Sequence, residues 1–245
     1  MSNNIFFNDV QIPDFVIIKS IETQLLPDIN NIFIKSDRGV KHKKIEFGSK
    51  VVKIDFSIER GFKSLPDITL IDTLNSWLKG DDWKPSKLVL PNDLDSHYLA
   101  IADKIDSLKP DSIECESSIE FLCVDPDRIT TMEKVVTITN TGTFEYTGEN
   151  TKPIIIFTIT SQCEELKLSI SNKKYKNFIR LKHNFILNDV VKIDMSTKKV
   201  TLNDNLKMTI LTLDSRFHDI VEGDNIYTLE LGNAIANIKF NERRA

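Results

Sequence analysis

The stretch VVKIDFSIE, Val51 to Glu59, sets apolar Val52, Ile54, Phe56 and Ile58 against polar Lys53, Asp55, Ser57 and Glu59. Successive side chains of a strand point to opposite faces, so a period of two marks a strand buried on one side and wetted on the other. Ile113 to Cys123 repeats the pattern: Ile113, Cys115, Ile119, Phe121 and Cys123 share one face, and Glu114, Glu116 and Glu120 the other. Two cysteines on an apolar face read as small hydrophobes. From Glu133 onward, strands are expected at Val135–Thr139, Pro153–Ile159, Leu166–Ile170, Phe178–Leu181, Val190–Asp194, Met208–Leu213, Ile226–Leu231 and Ala236–Phe240. Polar turns such as NTGTF, SNKKYKN, LNDNL and VEGDN separate them, and this spacing predicts a β-sandwich. The fold class is therefore mainly β, in two domains, residues 1–133 and 134–245.

One segment breaks the alternation. In LIDTLNSWLKG, Leu70 to Gly80, and just before it, Ile68, Ile71, Leu74 and Leu78 recur at helical spacing. Ser64 suits an N-cap, Pro66 the first turn, Asp67 the positive end of the dipole, and Gly80 the terminus. A helix covering one side of a sheet is the expected arrangement.

Composition places the chain among folded proteins: 40% of its 245 residues are hydrophobic and 28% charged, with a net charge of −4. The opening MSNNIFFNDVQIPDF has no basic segment followed by a long apolar one, so no signal peptide is expected. No apolar run approaches the roughly 18 residues of a membrane span. Three cysteines, Cys115, Cys123 and Cys163, lack CxxC spacing, which fits synthesis in a reducing cytoplasm. The four histidines, His42, His97, His183 and His218, are scattered without HExxH, and no GxSxG, GxxxxGK[ST] or GxGxxG occurs. The carboxylate pairs Glu164–Glu165 and Asp81–Asp82 are adjacent in sequence and do not form an acid/base dyad. No enzyme, no metal and no cofactor are expected.

The unusual charge feature is KSDRGVKHKK, which places Lys35, Arg38, Lys41, Lys43 and Lys44 between strands expected at Ile29–Ile34 and Ile45–Ile58. Three readings stand: a solvated hairpin tip, a nucleic-acid contact, or an arm that reaches a partner protein. Nucleic acid is disfavoured, because no aromatic side chain is interleaved for base stacking. The acidic strand carrying Glu114, Glu116 and Glu120 offers a counterpart for an arm.

Taken in order, these segments resemble the distal tail protein (Dit) family of long, non-contractile-tailed phages of Gram-positive bacteria. The resemblance rests on IFFNDVQIPDF at the start, DRG at Asp37–Gly39, and LNSWL followed by KLVLPNDLDSHYLAIAD. It continues through ECESSIEFLCVDPDRI, VTITNTGTFEYTGENTKPIIIFT and FHDIVEGDNIYTLE. Asp9 stands where the family usually has Gly. The resemblance implies an N-terminal β-sandwich with one helix that assembles into a hexameric ring, and a C-terminal galectin- or carbohydrate-module-like β-sandwich. It implies a structural hub at the virion tail tip, made in the bacterial host cytoplasm. Its partners would be its own copies, the tail tube protein, and tail-tip, fibre or receptor-binding proteins, with no membrane and no sequence-specific nucleic acid. The alternative is a carbohydrate-binding module contacting host cell-wall glycans. Against it, both tryptophans, Trp77 and Trp83, lie in the first domain; Tyr146, Tyr175 and Tyr227 would have to serve instead.

Overall fold

The computed structural model describes residues 4–36, 39–59, 67–106 and 114–245. It divides into two units, Met1–Arg128 and Ile129–Ala245.

The first unit is a sheet with one helix. Its strands are β1 (Phe6–Phe7), β2 (Val10–Gln11), β3 (Val16–Thr23), β4 (Ile29–Ser36), β5 (Gly39–Phe47), β6 (Lys50–Glu59), β7 (Ser86–Leu90), β8 (Asp93–Ile105) and β9 (Glu114–Cys123), with helix α1 at Asp67–Lys79. Seven of them pair in the order β2-β1-β7-β8-β9-β6-β3, while β4 and β5, among the described residues, pair only with each other. Laid flat, the six steps from β2 to β3 would span about 29 Å. Only four residues, Ile12 to Phe15, separate the two strands in sequence, and the chain reaches at most about 18 Å from Gln11 to Val16. The sheet must therefore curl over, and its concave side is the core. Val52, Ile54, Phe56, Ile119, Phe121 and Cys123 are buried there, as their alternation requires. Burial raises the Cys123 thiol to about 12, so this cysteine is an inert, protonated apolar group. Cys115 has a side chain outside the described set.

Helix α1 lays Leu70, Leu74, Trp77 and Leu78 on this core. Ile68, expected in the stripe, is exposed, and Leu70 and Trp77 take the inward positions instead. Trp77 decides the rotation: its ring meets Phe7 and Phe121 edge-on at 5.9 and 6.1 Å, and its Nε1–H donates to the Val10 carbonyl at 2.9 Å. Gly80 ends the helix at φ +53°, and a Cβ there would lie 2.9 Å from the Phe7 ring. The proposed start at Ser64 and Pro66 lies outside the described residues. A second correction concerns Ile45–Ile58, which is two strands, β5 and β6, separated by Gly48 and Ser49.

The second unit is a sandwich of two antiparallel sheets. After β10 (Arg128–Thr130) come β11 (Lys134–Ile138), β12 (Thr141–Tyr146), β13 (Ile154–Ile159), β14 (Cys163–Ser171), β15 (Lys176–Phe185), β16 (Val190–Asp194), β17 (Lys199–Leu202), β18 (Asn205–Leu206), β19 (Gly223–Leu231), β20 (Ala234–Phe240) and β21 (Arg243–Arg244). One sheet runs β11-β20-β13-β16-β17-β18 and the other β12-β19-β14-β15. Inward residues of both, among them Phe157, Val191 and Ile238 from the first and Leu168, Leu181 and Tyr227 from the second, form one core. The strand expected at Met208–Leu213 is instead a 3-10 turn, Met208–Ile210, followed by Leu211 bridging to Leu181. Strand β12 overlaps NTGTF and β18 lies within LNDNL, both of which the sequence reads as turns, and β17, with Val200 and Leu202 buried, falls where no strand was expected. Tyr146 closes the sandwich at one end, its hydroxyl donating to the Glu149 carbonyl at 2.6 Å and accepting from the Arg243 amide at 3.1 Å. Gly148 makes room for this; a Cβ there would meet the Arg243 carbonyl oxygen at 2.4 Å.

Candidate assembly surface

The basic segment is part of a free-standing hairpin. In β4–β5, Ile29 pairs with Phe47, Asn31 with Ile45, Ile32 with Lys44, Phe33 with His42, and Lys35 with Val40. The register shifts between Ile32 and Phe33, which makes Lys43 an extra, bulged residue on β5. Directly paired residues share a face. One face therefore carries Ile29, Phe33, Val40, Ile45 and Phe47 together with Asn31 and Lys35, and the five apolar side chains are all exposed, from 46% to 65%, while Ile32 falls on the opposite face. His42 sits among them, edge-on to Phe33 at 5.5 Å and 3.2 Å from Asn31 Oδ1. Lys44 and Glu46 lie on the opposite face and pair with each other.

Sequence reading missed this apolar face for a physical reason. Strict alternation puts Val40, His42, Lys44 and Glu46 together, and the bulge at Lys43 exchanges the last two for Ile45 and Phe47. No local sequence signal marks the bulge.

Lys35, Lys43 and Lys44 are exposed on this arm. Arg38, and the side chains of Lys41 and Glu114, lie outside the described set. Glu116 and Glu120 project from β9 on the side away from the core. Glu120 is bound by Lys104 of β8 at 3.0 Å and stands opposite Lys53 of β6 in register. Its carboxylate holds Lys104 above the usual lysine range. The arm and the acidic strand are thus not joined among the described residues, and Glu120 already has a cation.

The histidines are equally separate. Burial and nearby Lys87 lower His97, His183 lies 3.2 Å from Lys207 Nζ, and His218 is buried against Tyr227. Among the described residues, no three His, Cys, Asp or Glu side chains come together to hold a metal. No helix among them is long and apolar enough to cross a membrane.

In the second unit, Lys167, Ser169, Phe178, Thr228 and Glu230 line a shallow groove of about 320 Å³ on the outer side of the four-stranded sheet. Lys167 Nζ lies 4.8 Å from the centre of the Phe178 ring and 2.6 Å from Glu230, so the protein's own cation covers that aromatic face.

Residues 147–243 match the family model described as siphovirus-type tail component, C-terminal domain. Among solved structures, the chain is similar to the Dit protein (gp 19.1) of phage SPP1, described as a paradigm of hub adsorption apparatus in Gram-positive infecting phages. That likeness has a TM-score of 0.82 at 13% identity and covers 99% of both chains. Two structures of the phage p2 baseplate in its activated conformation, with Ca and with Sr, match at TM-scores of 0.47 and 0.48. Their identities are 6% and 9%, over 97% and 96% of each chain. Comparison with curated protein sequences finds no match.

Proposed function

We propose that the chain is a Dit family protein, as the match of its C-terminal domain and the likeness of its fold support, and that it is the structural hub of a phage tail tip. In this reading six copies close into a ring through their first units. The ring joins the tail tube to the adhesion proteins, and the second units project from it. The role is structural rather than catalytic.

The observation that carries the reading is the arm. Among the described residues, strands β4 and β5 pair only with each other, and the described side chains on both of their faces are largely exposed. A lone two-stranded hairpin is at best marginally stable in water. An arm of this length with an apolar face gains its stabilisation from something outside its own chain, and a neighbouring copy is the partner present in a ring. Its cations, Lys35, Arg38, Lys41, Lys43 and Lys44, meet acidic side chains of that neighbour. Single exposed ion pairs contribute roughly 0–1 kcal/mol, but a set repeated at every interface acts together.

A glycan-binding module is the second reading, and the groove beside Phe178 is the feature that favours it. Because Lys167 already covers that ring, a sugar would have to displace the cation before stacking, and we retain the hub.

Replacing Lys41, Lys43 and Lys44 by Glu should lower the assembled mass by light scattering, leave the circular dichroism unchanged, and remove a salt sensitivity that the parent shows. If the variant assembles as readily as the parent, the cations are merely solvated and take no part in assembly.

A further inference from the structure

We propose that the cavity where the end of β3 faces the β7–β8 hairpin is a binding site for a small carboxylate with a short apolar body, gripped by Arg128. The site is independent of the hub reading.

The cavity holds about 300 Å³, the small end of the range for ligand pockets. Ile21, Leu88 and Leu90 give it apolar walls, and Ser96, His97, Tyr98 and Arg128 supply polar ones. Among the described residues, two buried side-chain nitrogens have no hydrogen-bond partner, His97 Nδ1 and Arg128 Nε. Both residues line this one cavity. A buried polar atom without a partner is costly and rare, and two around one cavity mark a place suited to a polar group.

The guanidinium decides the class of that group. Arg128 Nη1 donates to Asp93 Oδ2 at 2.8 Å, and Ser96 Oγ donates to the same oxygen, so Asp93 fixes the guanidinium plane. Nη1 lies on the edge away from Nε–H. The Nε–Nη2 edge therefore faces away from Asp93, and its two parallel N–H groups match the two oxygens of a carboxylate. His97, with its proton on Nδ1, adds a further donor. Buried Lys50 holds its Nζ 6.0 Å from the Tyr98 ring, which keeps a second cation near the cavity wall. Lys87 and Asp9 act on His97 in opposite senses. An uncharged amide gains less from the same edge. Inorganic phosphate would meet that edge equally well, but it makes no use of Ile21, Leu88 and Leu90, and this favours an acid with an apolar body.

The test is saturation-transfer NMR on the full chain with sodium butyrate as the probe, a measurement that reads a weakly bound small molecule whatever the assembly state. Butyrate should bind saturably. Butyramide, similar in size and uncharged, should bind about tenfold or more weakly, the loss of a charge-assisted hydrogen bond. Arg128→Lys keeps the charge but not the fork, and His97→Phe keeps a ring but not Nδ1. Each should weaken butyrate by a similar factor with the circular dichroism unchanged. If the variants fail to fold, the comparison of butyrate with butyramide on the parent decides alone. Absence of saturable binding would mean that water serves both nitrogens, and it overturns the proposal. So does equal binding of butyrate and butyramide, or butyrate binding that both folded variants leave unaltered. Displacement of butyrate by inorganic phosphate at a lower concentration than butyrate itself needs overturns the carboxylate assignment.

Discussion

His218 is the side chain through which mild acid reaches the second unit. It is 4% exposed, with Nε2 3.2 Å from the Tyr227 hydroxyl and Nδ1 3.3 Å from the Arg216 carbonyl. Desolvation lowers it to about 4. Above the unfolded value near 6.5 both states are neutral, and its contribution to stability is complete. As the pH falls from about 6.5 towards 4, the unfolded chain takes a proton that the folded chain refuses. Stability then drops, by up to about 3 kcal/mol. His218→Gln should flatten the fall in melting temperature across that window relative to the parent. Parallel curves would mean that His218 is solvated in the folded protein. Single residues also mark the limits of sequence reading. Cys123 was legible as a core residue, because alternation puts it beside Phe121 and Ile119. His218 was not, since it lies in an irregular stretch with no period to place it. Asp9 has φ +60° in the β1–β2 turn, a left-handed conformation that explains why glycine would be natural there.

Elements were read well where their period was clean. Strands β6 and β9 and helix α1 followed from apolar spacing alone, whereas the rotation of α1 did not, because spacing cannot weigh Trp77 against Ile68. Leu74 is 1% exposed and sits at the centre of the buried stripe. Its truncation to Ala should cost about 2–5 kcal/mol by leaving a cavity, while Asn75→Ala, on the exposed side, should cost well under 1 kcal/mol. Melting temperatures of the two variants make the comparison, and equal values would mean that α1 is not packed on the sheet. The arm shows the opposite limit. Its charges were visible in sequence, but its apolar face is created by a one-residue bulge at Lys43, and a slip of one residue flips every side chain beyond it.

For the molecule as a whole, two mainly β units and the resemblance to distal tail proteins were both accessible from the sequence, the second through the order of motifs rather than any one of them. What no single chain carries is the assembly, because a ring is a property of complementary surfaces on different copies. The exposed arm and a tail-component domain over residues 147–243 are both accounted for by the proposed ring. Light-scattering mass of the purified protein over a wide concentration range addresses this without any variant. A closed ring of six gives a species about six times the 28.1 kDa chain, with no larger open polymers at higher concentration. A mass that stays at 28.1 kDa throughout, or one that grows without limit, would contradict it.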